Sequence, residues 1–431
     1  MKIKTLHITN FYHPKSGGIR IFYHALLAAA NRHGRFVRLV VPAEKTWVEE
    51  VGAFGRIYHV AAPRSPVLDS RYRCILPHAY AWPYNSDIRR ILADERPDII
   101  EICDKFFLLY LAGALRRGWI SGVPVPVIVG LSCERLDNNV ATYMSDGPII
   151  RALYRWYMRN CYAPRFDFHL AASEYIADEV RTSLPARLKD RLCVAPMGVD
   201  FDTFSRPSES SALRDRLLKQ AGGNQQTILL LYAGRLSKEK NLGIIPPILA
   251  RLATSSRDYR LIIAGDGPFA DALRRSLESL APGRTVFLGH CSTDFLPGLY
   301  HAADIFIHPN PREPFGIAPL EAMAAGLALV APASGGVLTY ANRDNAWLAD
   351  ATPESFADAV RSVHADVSLR REKVEQAKRT AETFSWPRVT QNYFDIYDNF
   401  YRLSLHHSSV EAPASAAAVS SNQDPRTAGI E

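Results

Sequence analysis

Short runs rich in Val, Ile and Leu alternate with longer stretches of helical periodicity, in two series along the chain. The order strand, helix, strand is typical of a parallel sheet, because parallel neighbours need a crossover that a helix can supply. Each series spans about 180 to 200 residues, which is the size of one domain. We therefore predict an α/β chain in two halves. Predicted strands are residues 3–9, 36–41, 227–236, 259–268 with its turn, 285–290 and 303–309, and predicted helices are 19–31 and 241–253.

The composition agrees with a globular chain and excludes several other classes. Of the 431 residues, 47% are hydrophobic and 22% are charged, which is incompatible with collagen or a disordered protein. Six cysteines are scattered without paired metal-ligand spacing, which argues against a structural zinc site and favours reduced thiols in a cytosolic protein. The start, MKIKTLHITN, predicts a strand rather than a signal peptide, and no apolar run reaches the length of a membrane span.

The basic residues are concentrated in the first half. Residues 1–200 hold 27 Lys and Arg against 19 Asp and Glu, a net charge of +8, whereas residues 201–431 hold 24 against 25, a net charge of −1. Two halves of different charge are expected to face different partners.

The middle and the end of the chain contain two connecting segments. Residues 195–210 mix Gly, Pro and Ser with aromatics and predict an ordered linker. Residues 384–403 open with Trp386-Pro387 and continue with apolar residues at spacings of three and four, which predicts a helix with one apolar face. The Ala-, Ser- and Pro-rich stretch 406–431 is expected to be a disordered tail.

Gly17-Gly18 lies between the first predicted strand and its helix. Two glycines let the backbone approach a ligand closely at a helix N-terminus, where free N–H groups favour phosphate or a sugar oxygen. A tight turn without any ligand explains the pair equally well, and the string is not GxGxxG.

Arg235 and Lys240 stand in the string AGRLSKEKN, directly after a predicted strand. Cations at the carboxyl end of a parallel strand, above a helix N-terminus, suit a diphosphate. The alternative is an ordinary solvated loop rich in Lys and Glu.

The string NPREPFGIAPLEAMAAG is the most specific in the chain, with Glu313 and Glu321 separated by seven residues. Glu313 is predicted in a loop and Glu321 just inside the following helix, so that both carboxylates lie at one edge of a cleft. Carboxylates accept hydrogen bonds from the vicinal diols of ribose and hexoses. A favourable helix dipole explains Glu321 alone but not the whole string.

Together these strings, with GVDFDTF, AGDGP and VFLGH, resemble the retaining GT-B glycosyltransferases of family GT4, the glycosyl transferases group 1. The resemblance covers the chain up to about residue 405, and the nearest appearance is that of bacterial GDP-mannose-dependent α-mannosyltransferases. It implies two facing Rossmann-like domains with a C-terminal helix that crosses back to the first. The implied domains are residues 1–200 together with the returning helix 384–405 on the acceptor side, and residues 208–383 on the donor side.

The resemblance also implies roles for individual residues. Arg235 and Lys240 would neutralise the donor diphosphate, Glu321 would bind the ribose, and Glu313 would lie near the transferred sugar as a positioning and stabilising group. Backbone amides would contact the donor from the loop that precedes Glu321 and, across the cleft, from the first domain. Further donor contacts are implied beyond the next two strands. These additional donor-binding residues are Phe315, Gly316 and Ile317, Gly17 and Gly18, and Gly267 and His290.

The resemblance implies no cofactor and no metal, because two cations and helix N-termini can stabilise the charge on the leaving nucleoside diphosphate. Asp200-Phe-Asp202 is formally a DxD string, but it lies in the family's linker motif. Front-face attack would retain the anomeric configuration without a carboxylate nucleophile, unlike the glycosidase scheme.

One position departs from the family. After the predicted strand at 125–130, many members place a His near the transferred sugar, whereas this chain has Cys133 followed by Glu134. Cys133 and Glu134 are tentative sugar- or acceptor-side residues, and a purely structural role for Glu134 is equally open. A buried Cys ordinarily acts as a small apolar residue.

The acceptor is expected on the basic first half, as a lipid-linked or polysaccharide molecule. The segment 147–166 sets Arg151, Arg155 and Arg159 on one side of a helix beside aromatic residues. Such a face either docks on anionic lipid headgroups or is an ordinary solvated face. If the face docks on lipid headgroups, the protein is expected to be cytoplasmic, with peripheral contact at the inner face of the cell membrane. Further basic residues in this half are Arg56, Arg64, Arg71, Arg73, Arg89 and Arg90.

Transfer of a hexose, with mannose favoured, from a nucleotide-diphosphate sugar to a glycolipid or polysaccharide is thus the predicted activity. The alternatives are another GT-B enzyme of sugar nucleotides, such as an epimerase, and a non-catalytic sugar-nucleotide-binding subunit. Nucleic-acid binding is not expected, because the pI near 9.0 is accompanied by no recognition motif.

Overall fold

The computed structural model describes residues 3–12, 17–65, 72–81, 86–143, 147–206 and 210–410. Its strands form two separate sheets, and each is built on parallel pairs. The eight-stranded first sheet has the order β3-β4-β2-β1-β5-β6-β7-β8, and the six-stranded second sheet has the order β11-β10-β9-β12-β13-β14. The strands are β1 Thr5–Thr9, β2 Val37–Ala43, β3 Trp47–Val51, β4 Gly55–Ala61, β5 Ile99–Cys103, β6 Val127–Ser132, β7 Phe168–Ala171, β8 Leu192–Val194, β9 Ile228–Ala233, β10 Tyr259–Ala264, β11 Thr285–Gly289, β12 Ile305–Ile307, β13 Ala328–Pro332 and β14 Trp347–Ala349.

Helices cover both faces of each sheet, so that central strands such as β1 and β5 are buried along their whole length. The α/β prediction is confirmed. The α-helices are α1 Gly18–His33, α2 His78–Ala81, α3 Asp87–Glu95, α4 Leu109–Arg116, α5 Leu136–Tyr143, α6 Pro148–Tyr157, α7 Glu174–Ser183, α8 Phe201–Ser205, α9 Ser211–Gln220, α10 Ile245–Ala253, α11 Ala270–Leu280, α12 Leu296–Ala302, α13 Ile317–Ala325, α14 Pro353–Ser362, α15 Val367–Thr383 and α16 Trp386–Val410.

The first sheet separates two apolar layers. On one face, α1, α7 and α16 pack around buried side chains such as Leu26, Ile176 and Tyr393. On the other face, α3 and α4 pack around Ile88 and Leu111. Because α1 and α4 lie on opposite faces, the loops that precede them open on two sides of the same sheet edge.

Two predicted helix boundaries differ from the observed ones by four residues or more, and the other predicted elements differ at their ends by fewer residues or by a turn. The helix predicted over 241–253 begins only at Ile245, because Asn241 has a φ of +55° and the preceding turns are 3₁₀. At the end of the chain, α16 continues to Val410, five residues beyond the predicted end of the returning helix. Residues 411–431 of the predicted tail lie outside the described residues, and the domain limits stay a prediction.

The last helix returns to the first sheet. While α15 packs against α13 and β13 of the second half, α16 packs against α1 and β6 of the first. Its ring of Phe400 stacks on Phe168 with 4.2 Å between centroids. The Tyr393 hydroxyl donates a hydrogen bond of 2.6 Å to the Ala195 carbonyl, and Asp398 accepts two from Arg35.

A buried carboxyl joins this helix to the centre of the sheet. Glu101 on β5 accepts hydrogen bonds from the hydroxyls of Tyr397 on α16 and Tyr23 on α1, and it lies 2.9 Å from His7 Nδ1 on β1. All four side chains are almost completely excluded from solvent. We call these four residues the Glu101 network. Burial and the nearby Glu101 raise the pKa of the Tyr397 hydroxyl well above its usual range, so that it remains a donor.

Removing one hydroxyl of the Glu101 network tests its contribution to stability. Tyr397→Phe leaves a buried carboxyl oxygen without its donor, which should lower the free energy of unfolding by about 1–3 kcal/mol. Urea denaturation at neutral pH measures this loss. Tyr401→Phe, on the same helix and partly exposed, is the control and should unfold like the wild type. Equal stability of the two variants would contradict the assigned contribution.

Candidate active site

The loop between β12 and α13 holds the most strongly bound carboxylate of the candidate site. Glu313 is buried, with 8% of its surface exposed. Lys240 Nζ contacts both of its oxygens, at 3.0 and 2.9 Å, and Asn310 Nδ2 donates a hydrogen bond of 3.0 Å to Oε2. Lys240 and Glu313, which were predicted as site residues from two distant strings, are therefore in direct contact.

The charges around Glu313 keep it ionised. Burial alone would raise its pKa, but Lys240, His308 and the hydrogen bond from Asn310 outweigh burial and lower the pKa to about 2. Burial also lowers the pKa of His308, whose Nε2 lies 3.7 Å from the Glu313 carboxylate, to about 4. At neutral pH the cluster thus contains one carboxylate, one ammonium and one neutral imidazole.

Backbone packing from two other elements fixes the Glu313 loop. The Gly336 N–H donates a hydrogen bond of 2.6 Å to the Glu313 carbonyl, and a Cβ at Gly336 would lie 1.8 Å from the Pro314 carbonyl oxygen. From the first half, Ser173 Oγ at the start of α7 donates a hydrogen bond of 2.6 Å to the same Pro314 oxygen. Neither contact was predicted from the sequence, although ASGG directly after an apolar strand indicates close backbone packing at Gly336.

The residues after Glu313 contribute backbone groups rather than side chains to the candidate site. The Phe315 ring is buried and belongs to the core. Its centroid lies 5.3 Å from that of the Tyr340 ring. Gly316 has a φ of +88° and directly precedes α13 as its N-cap, and its carbonyl accepts a hydrogen bond from the Tyr340 hydroxyl. The N–H groups at the start of α13, including that of Ile317, are thereby held in one orientation.

Glu321 has a different environment from Glu313. It is the fifth residue of α13, is partly exposed, and accepts a hydrogen bond of 2.9 Å from the Tyr300 hydroxyl at Oε2. Burial raises its pKa to about 7, the Tyr300 bond opposes this, and the nearby charge of Asp200 adds to it. Near neutral pH this carboxyl exists in both protonation states.

Arg235 and Lys240 both follow β9, as predicted. Arg235 is partly exposed, and its carbonyl accepts a hydrogen bond of 3.2 Å from the Tyr232 hydroxyl. Asn241 Nδ2 donates a hydrogen bond of 2.9 Å to the Pro309 carbonyl, which joins the loop after β9 to the loop after β12. Lys240 consequently lies beside the Glu313 loop, and Arg235 lies at the start of the same connecting segment after β9.

Gly267 and His290 lie in the loops after the next two strands. A Cβ at Gly267 would lie 2.2 Å from the Leu236 carbonyl oxygen, so the loops after β9 and β10 pack backbone against backbone. The Gly265 N–H donates a hydrogen bond of 2.7 Å to the carbonyl of Gly289, and His290 follows as an exposed residue. The loops that carry Arg235, Gly267 and His290 therefore form one edge.

Gly17 and Gly18 lie opposite the start of α13. Gly17 precedes α1 with a φ of +109°, and a Cβ built on Gly18 would lie 3.0 Å from Cδ1 of Ile317. The structure thus brings the N-termini of α1 and α13 together from the two halves, each contributing unpaired backbone N–H groups.

Cys133 and Glu134 follow β6, on the first half. The Cys133 sulfur is 3.9 Å from that of Cys103, in a chain whose six cysteines are all free. Lys105 Nζ donates a hydrogen bond of 2.6 Å to the Glu134 carbonyl and lies 2.5 Å from Glu179 Oε2. This buried ion pair of Lys105 and Glu179 was not predicted, because neither residue belongs to a motif.

The Lys105–Glu179 pair organises the loop after β6 and the neighbouring helix. Glu179 Oε1 accepts hydrogen bonds from the N–H groups of Leu136 and Asp137, at 2.6 and 3.1 Å, and from the Tyr154 hydroxyl of α6 at 2.6 Å. The loop that carries Cys133 and Glu134 is thereby held rigidly against α6.

The DxD string has a local structural role. Asp200 Oδ1 accepts a hydrogen bond of 3.2 Å from the Thr203 N–H and caps α8. Within the described ranges, no group of three or more His, Cys, Asp or Glu residues has the arrangement of a metal site.

Comparison with solved structures identifies the fold as GT-B, the two-domain architecture of many glycosyltransferases. The sucrose-phosphate synthase of Thermosynechococcus elongatus superposes with a TM-score of 0.71 at 16% identity, over 93% of this chain and 100% of the other. Anabaena Alr3699/HepE, solved in complex with UDP and glucose, gives a TM-score of 0.67 at 17% identity, over 92% and 100%.

Sequence comparison identifies the family. The profile of the glycosyl transferases group 1 matches residues 214–380, and that of the glycosyl transferase 4-like domain matches residues 17–198. The GDP-mannose-dependent alpha-(1-6)-phosphatidylinositol dimannoside mannosyltransferase of Mycobacterium tuberculosis is 30% identical over 397 residues, which are 90% of this chain and 94% of that protein. The chain belongs to the group 1 glycosyltransferases, of the GT4 type, and is a transferase enzyme; the predicted family, fold and enzyme class are confirmed.

The low pKa of Glu313 predicts a loss of stability in acid. A carboxyl with a folded pKa of about 2 and an ordinary value of 4.5 stabilises the fold above pH 4.5 and loses this contribution as the pH falls towards 2. The shift corresponds to about 3 kcal/mol. Urea denaturation between pH 3 and pH 7 should show a steeper decline for the wild type than for Glu313→Gln.

Glu354→Gln is the control for this measurement, because Glu354 forms an exposed ion pair with Arg251. This variant should keep the pH dependence of the wild type. A Glu313→Gln protein with an unchanged pH dependence would show that the Lys240–Glu313 pair does not stabilise the fold.

Proposed function

We propose that this enzyme is a retaining transferase that moves a hexose, with mannose favoured, from a nucleotide-diphosphate sugar to a glycolipid or polysaccharide acceptor. The observation that carries the proposal is the meeting of the α1 and α13 N-termini beside Lys240 and Glu313, since this arrangement suits an anionic donor. GDP-mannose is the favoured donor and a UDP-hexose is the second.

In this proposal the diphosphate lies between the two helix N-termini. The N–H groups of Phe315, Gly316 and Ile317 approach it from one side and those of Gly17 and Gly18 from the other. Arg235 and Lys240 add two positive charges. Gly267 and His290, on the adjoining loops, contact the sugar and the base respectively.

Glu321 would bind the ribose. Tyr300 occupies one lone-pair direction of its Oε2, which leaves Oε1 for a ribose hydroxyl. The ionised carboxylate accepts stronger hydrogen bonds than the neutral acid, so donor binding should favour the deprotonated form.

Glu313 would position the transferred sugar rather than attack it. Lys240 contacts both of its oxygens and Asn310 one of them, so the carboxylate is oriented and its basicity is low. An ammonium has three donors, and Lys240 retains one N–H for a phosphate oxygen. Negative charge that develops on the departing diphosphate would be stabilised by groups already in place, with no metal or other cofactor required.

The acceptor side is assigned to the first half, around Cys133 and Glu134. The M. tuberculosis relative takes its name from GDP-mannose and a phosphatidylinositol dimannoside. Its similarity over nearly the whole chain supports mannose as the sugar and a phosphoinositide-type lipid as the acceptor.

A panel of donors tests the proposed reaction. We expect release of GDP from GDP-mannose in the presence of EDTA, stimulated by a membrane extract that supplies acceptors. Lys240→Ala should lower kcat/KM by about 30- to 1000-fold, the equivalent of 2–4 kcal/mol of transition-state stabilisation. Lys238→Ala, an exposed lysine on the same turn, should have little effect.

Three results would contradict this scheme in different ways. Turnover of none of the GDP- and UDP-sugars would refute the proposed donor class. A requirement for added Mn²⁺ would refute the metal-independent mechanism. A Lys240→Ala enzyme with near wild-type activity would refute the role of that lysine alone.

Peripheral contact with an anionic membrane completes the proposed function, and α6 is the element that would make it. None of its residues is buried. Ile149, Leu153 and Trp156 follow one another at helical spacing and are 80%, 60% and 57% exposed. Such a row of large apolar side chains is unusual on a solvent-facing helix.

A row of cations runs beside these apolar residues. Arg151, Arg155 and Arg159 are spaced by four residues and exposed, as on helices that lie in a bilayer interface. The other predicted arginines contribute less, since Arg56 and Arg90 form ion pairs with carboxylates. Arg71 lies outside the described residues.

The proposed contact is peripheral. Along the residues that the structure covers, no helix combines the length and apolar character needed to cross a bilayer. Because the Tyr154 hydroxyl of α6 is bound to Glu179, a membrane that touches α6 would lie next to the loop of Cys133 and Glu134. The proposed location is therefore the cytoplasmic face of the cell membrane.

Vesicle binding tests this surface. The wild type should co-sediment with phosphatidylcholine vesicles that contain phosphatidylglycerol, and less with phosphatidylcholine alone. Ile149→Glu should weaken this binding by about tenfold or more, because a buried Ile side chain contributes about 1.5–3 kcal/mol. Val367→Glu on α15, where the valine is also 80% exposed, is the matched control. Equal binding of the two variants would exclude α6 as the membrane contact.

A further inference from the structure

A second opening lies on the first half, away from the loops assigned to the donor. It is a groove of about 1010 Å³ between the segment Leu76–Tyr80, α3 and α4. Its walls include the aromatic side chains of Tyr80, Phe107, Tyr110 and Trp119. We call it the α4 groove.

One end of the α4 groove lies at the carboxyl edge of the first sheet, and the other end, at Arg117 and Trp119, lies beyond the C-terminal end of α4. Its wall at Leu76 is fixed to the end of β1, because the neighbouring Ile75 N–H donates a hydrogen bond of 2.8 Å to Asn10 Oδ1. Its wall at Phe107 follows β5, where Asp104 Oδ1 accepts a hydrogen bond of 2.6 Å from the Phe107 N–H. Ligands of open parallel sheets bind at this edge.

Three arginines line the same groove. The Arg165 guanidinium lies 5.7 Å from the Tyr110 ring centroid and that of Arg117 lies 4.9 Å from the Trp119 ring centroid. Arg89 Nε donates a hydrogen bond of 3.1 Å to the Tyr80 carbonyl.

The chemistry of this lining selects a ligand class. Among the described lining residues there is no Asp or Glu, so the groove has a positive potential. Tyr110 and Trp119 are 48% and 65% exposed and offer ring faces on which the C–H face of a sugar or cyclic polyol can lie. Arginine forks suit the oxygens of a phosphate ester.

The position of the groove connects it to the proposed acceptor side. Phe107 is two residues from Lys105, whose ammonium holds the Glu134 carbonyl and whose own carbonyl accepts a hydrogen bond from the Tyr157 hydroxyl of α6. The Phe107 end of the α4 groove is thus close to both α6 and the loop of Glu134.

We propose that the α4 groove binds the phosphate-bearing polyol or sugar headgroup of the lipid acceptor. The assignment as an acceptor site rests on the proposed function, whereas the binding chemistry rests on the groove itself. Arg117 and Arg165 hold the phosphate, while Trp119 and Tyr110 support the ring.

Titration calorimetry with a soluble headgroup tests the proposal. Glycerophosphoinositol is the probe, and myo-inositol and inorganic phosphate are titrated separately. We expect the probe to bind the wild type at least ten times more tightly than either fragment, because both the phosphate and the ring contribute. Arg117→Ala and Trp119→Ala should each weaken the probe by about tenfold, the loss of one charge-assisted or aromatic contact.

Matched controls come from the neighbouring helix. Arg155→Ala and Trp156→Ala remove an exposed Arg and an exposed Trp from α6, and should leave binding of the soluble probe unchanged. The affinity for GDP should stay the same in all four variants.

The outcomes separate this proposal from the proposed function. No binding of the probe, equal affinity for phosphate alone, or unchanged binding after both groove substitutions would overturn the headgroup site. Failure of GDP-sugar turnover with intact probe binding would instead overturn the transferase reaction proposed above.

Discussion

Parallel strand pairing is the constraint on which the candidate site depends. Every strand pair of the two sheets is parallel except that of β3 with β4. In each sheet the carboxyl ends of the parallel strands therefore lie at one edge, and the loops that follow these strands lie side by side there. Arg235 follows β9, Gly267 follows β10, His290 follows β11 and Glu313 follows β12. Residues far apart in sequence become neighbours because the register of the sheet places them there, and glycines let the loop backbones approach within hydrogen-bond distance.

The two carboxylates of the E-x7-E string differ in charge state because their surroundings differ. Glu313 lies against an ammonium and an amide, and its pKa falls to about 2; Glu321 has only a neutral hydroxyl as a partner, and burial raises its pKa to about 7. Compared with apolar residues of similar volume, a buried ion pair adds little net stability. Removal of one partner costs about 3–5 kcal/mol, because the other charge stays buried without a counter-charge. The Lys240–Glu313 pair therefore holds its loop in place, and protonation of Glu313 in acid leaves the charge of Lys240 without its partner. Environments that separate the pKa values of two carboxyl groups are typical of sites in which the groups have different tasks.

Local patterns in the sequence were sufficient for the strand–helix–strand order at the start of each half, for the Glu313 and Lys240 strings and for the returning helix, since each depends on residues close together in the chain. Contacts between distant residues were not predictable in this way. The Glu101 network, the Lys105–Glu179 pair and the hydrogen bond from Ser173 to the Glu313 loop join residues at least 74 positions apart. Of these residues only Pro314 belongs to a motif. The late start of α10 has a local cause that periodicity hides, because Asn241 adopts a left-handed conformation and consecutive prolines follow at the start of the helix.

Gly18 lies at a close contact between the two halves of the molecule. A methyl group there would approach the Ile317 side chain to 3.0 Å, so only the hydrogen of a glycine leaves an ordinary van der Waals gap. A residue with a side chain at this position would require the Ile317 side chain to shift by a few tenths of an ångström. The close approach of the two helix N-termini thus depends on a missing Cβ, at the same residue whose N–H is proposed to bind the donor.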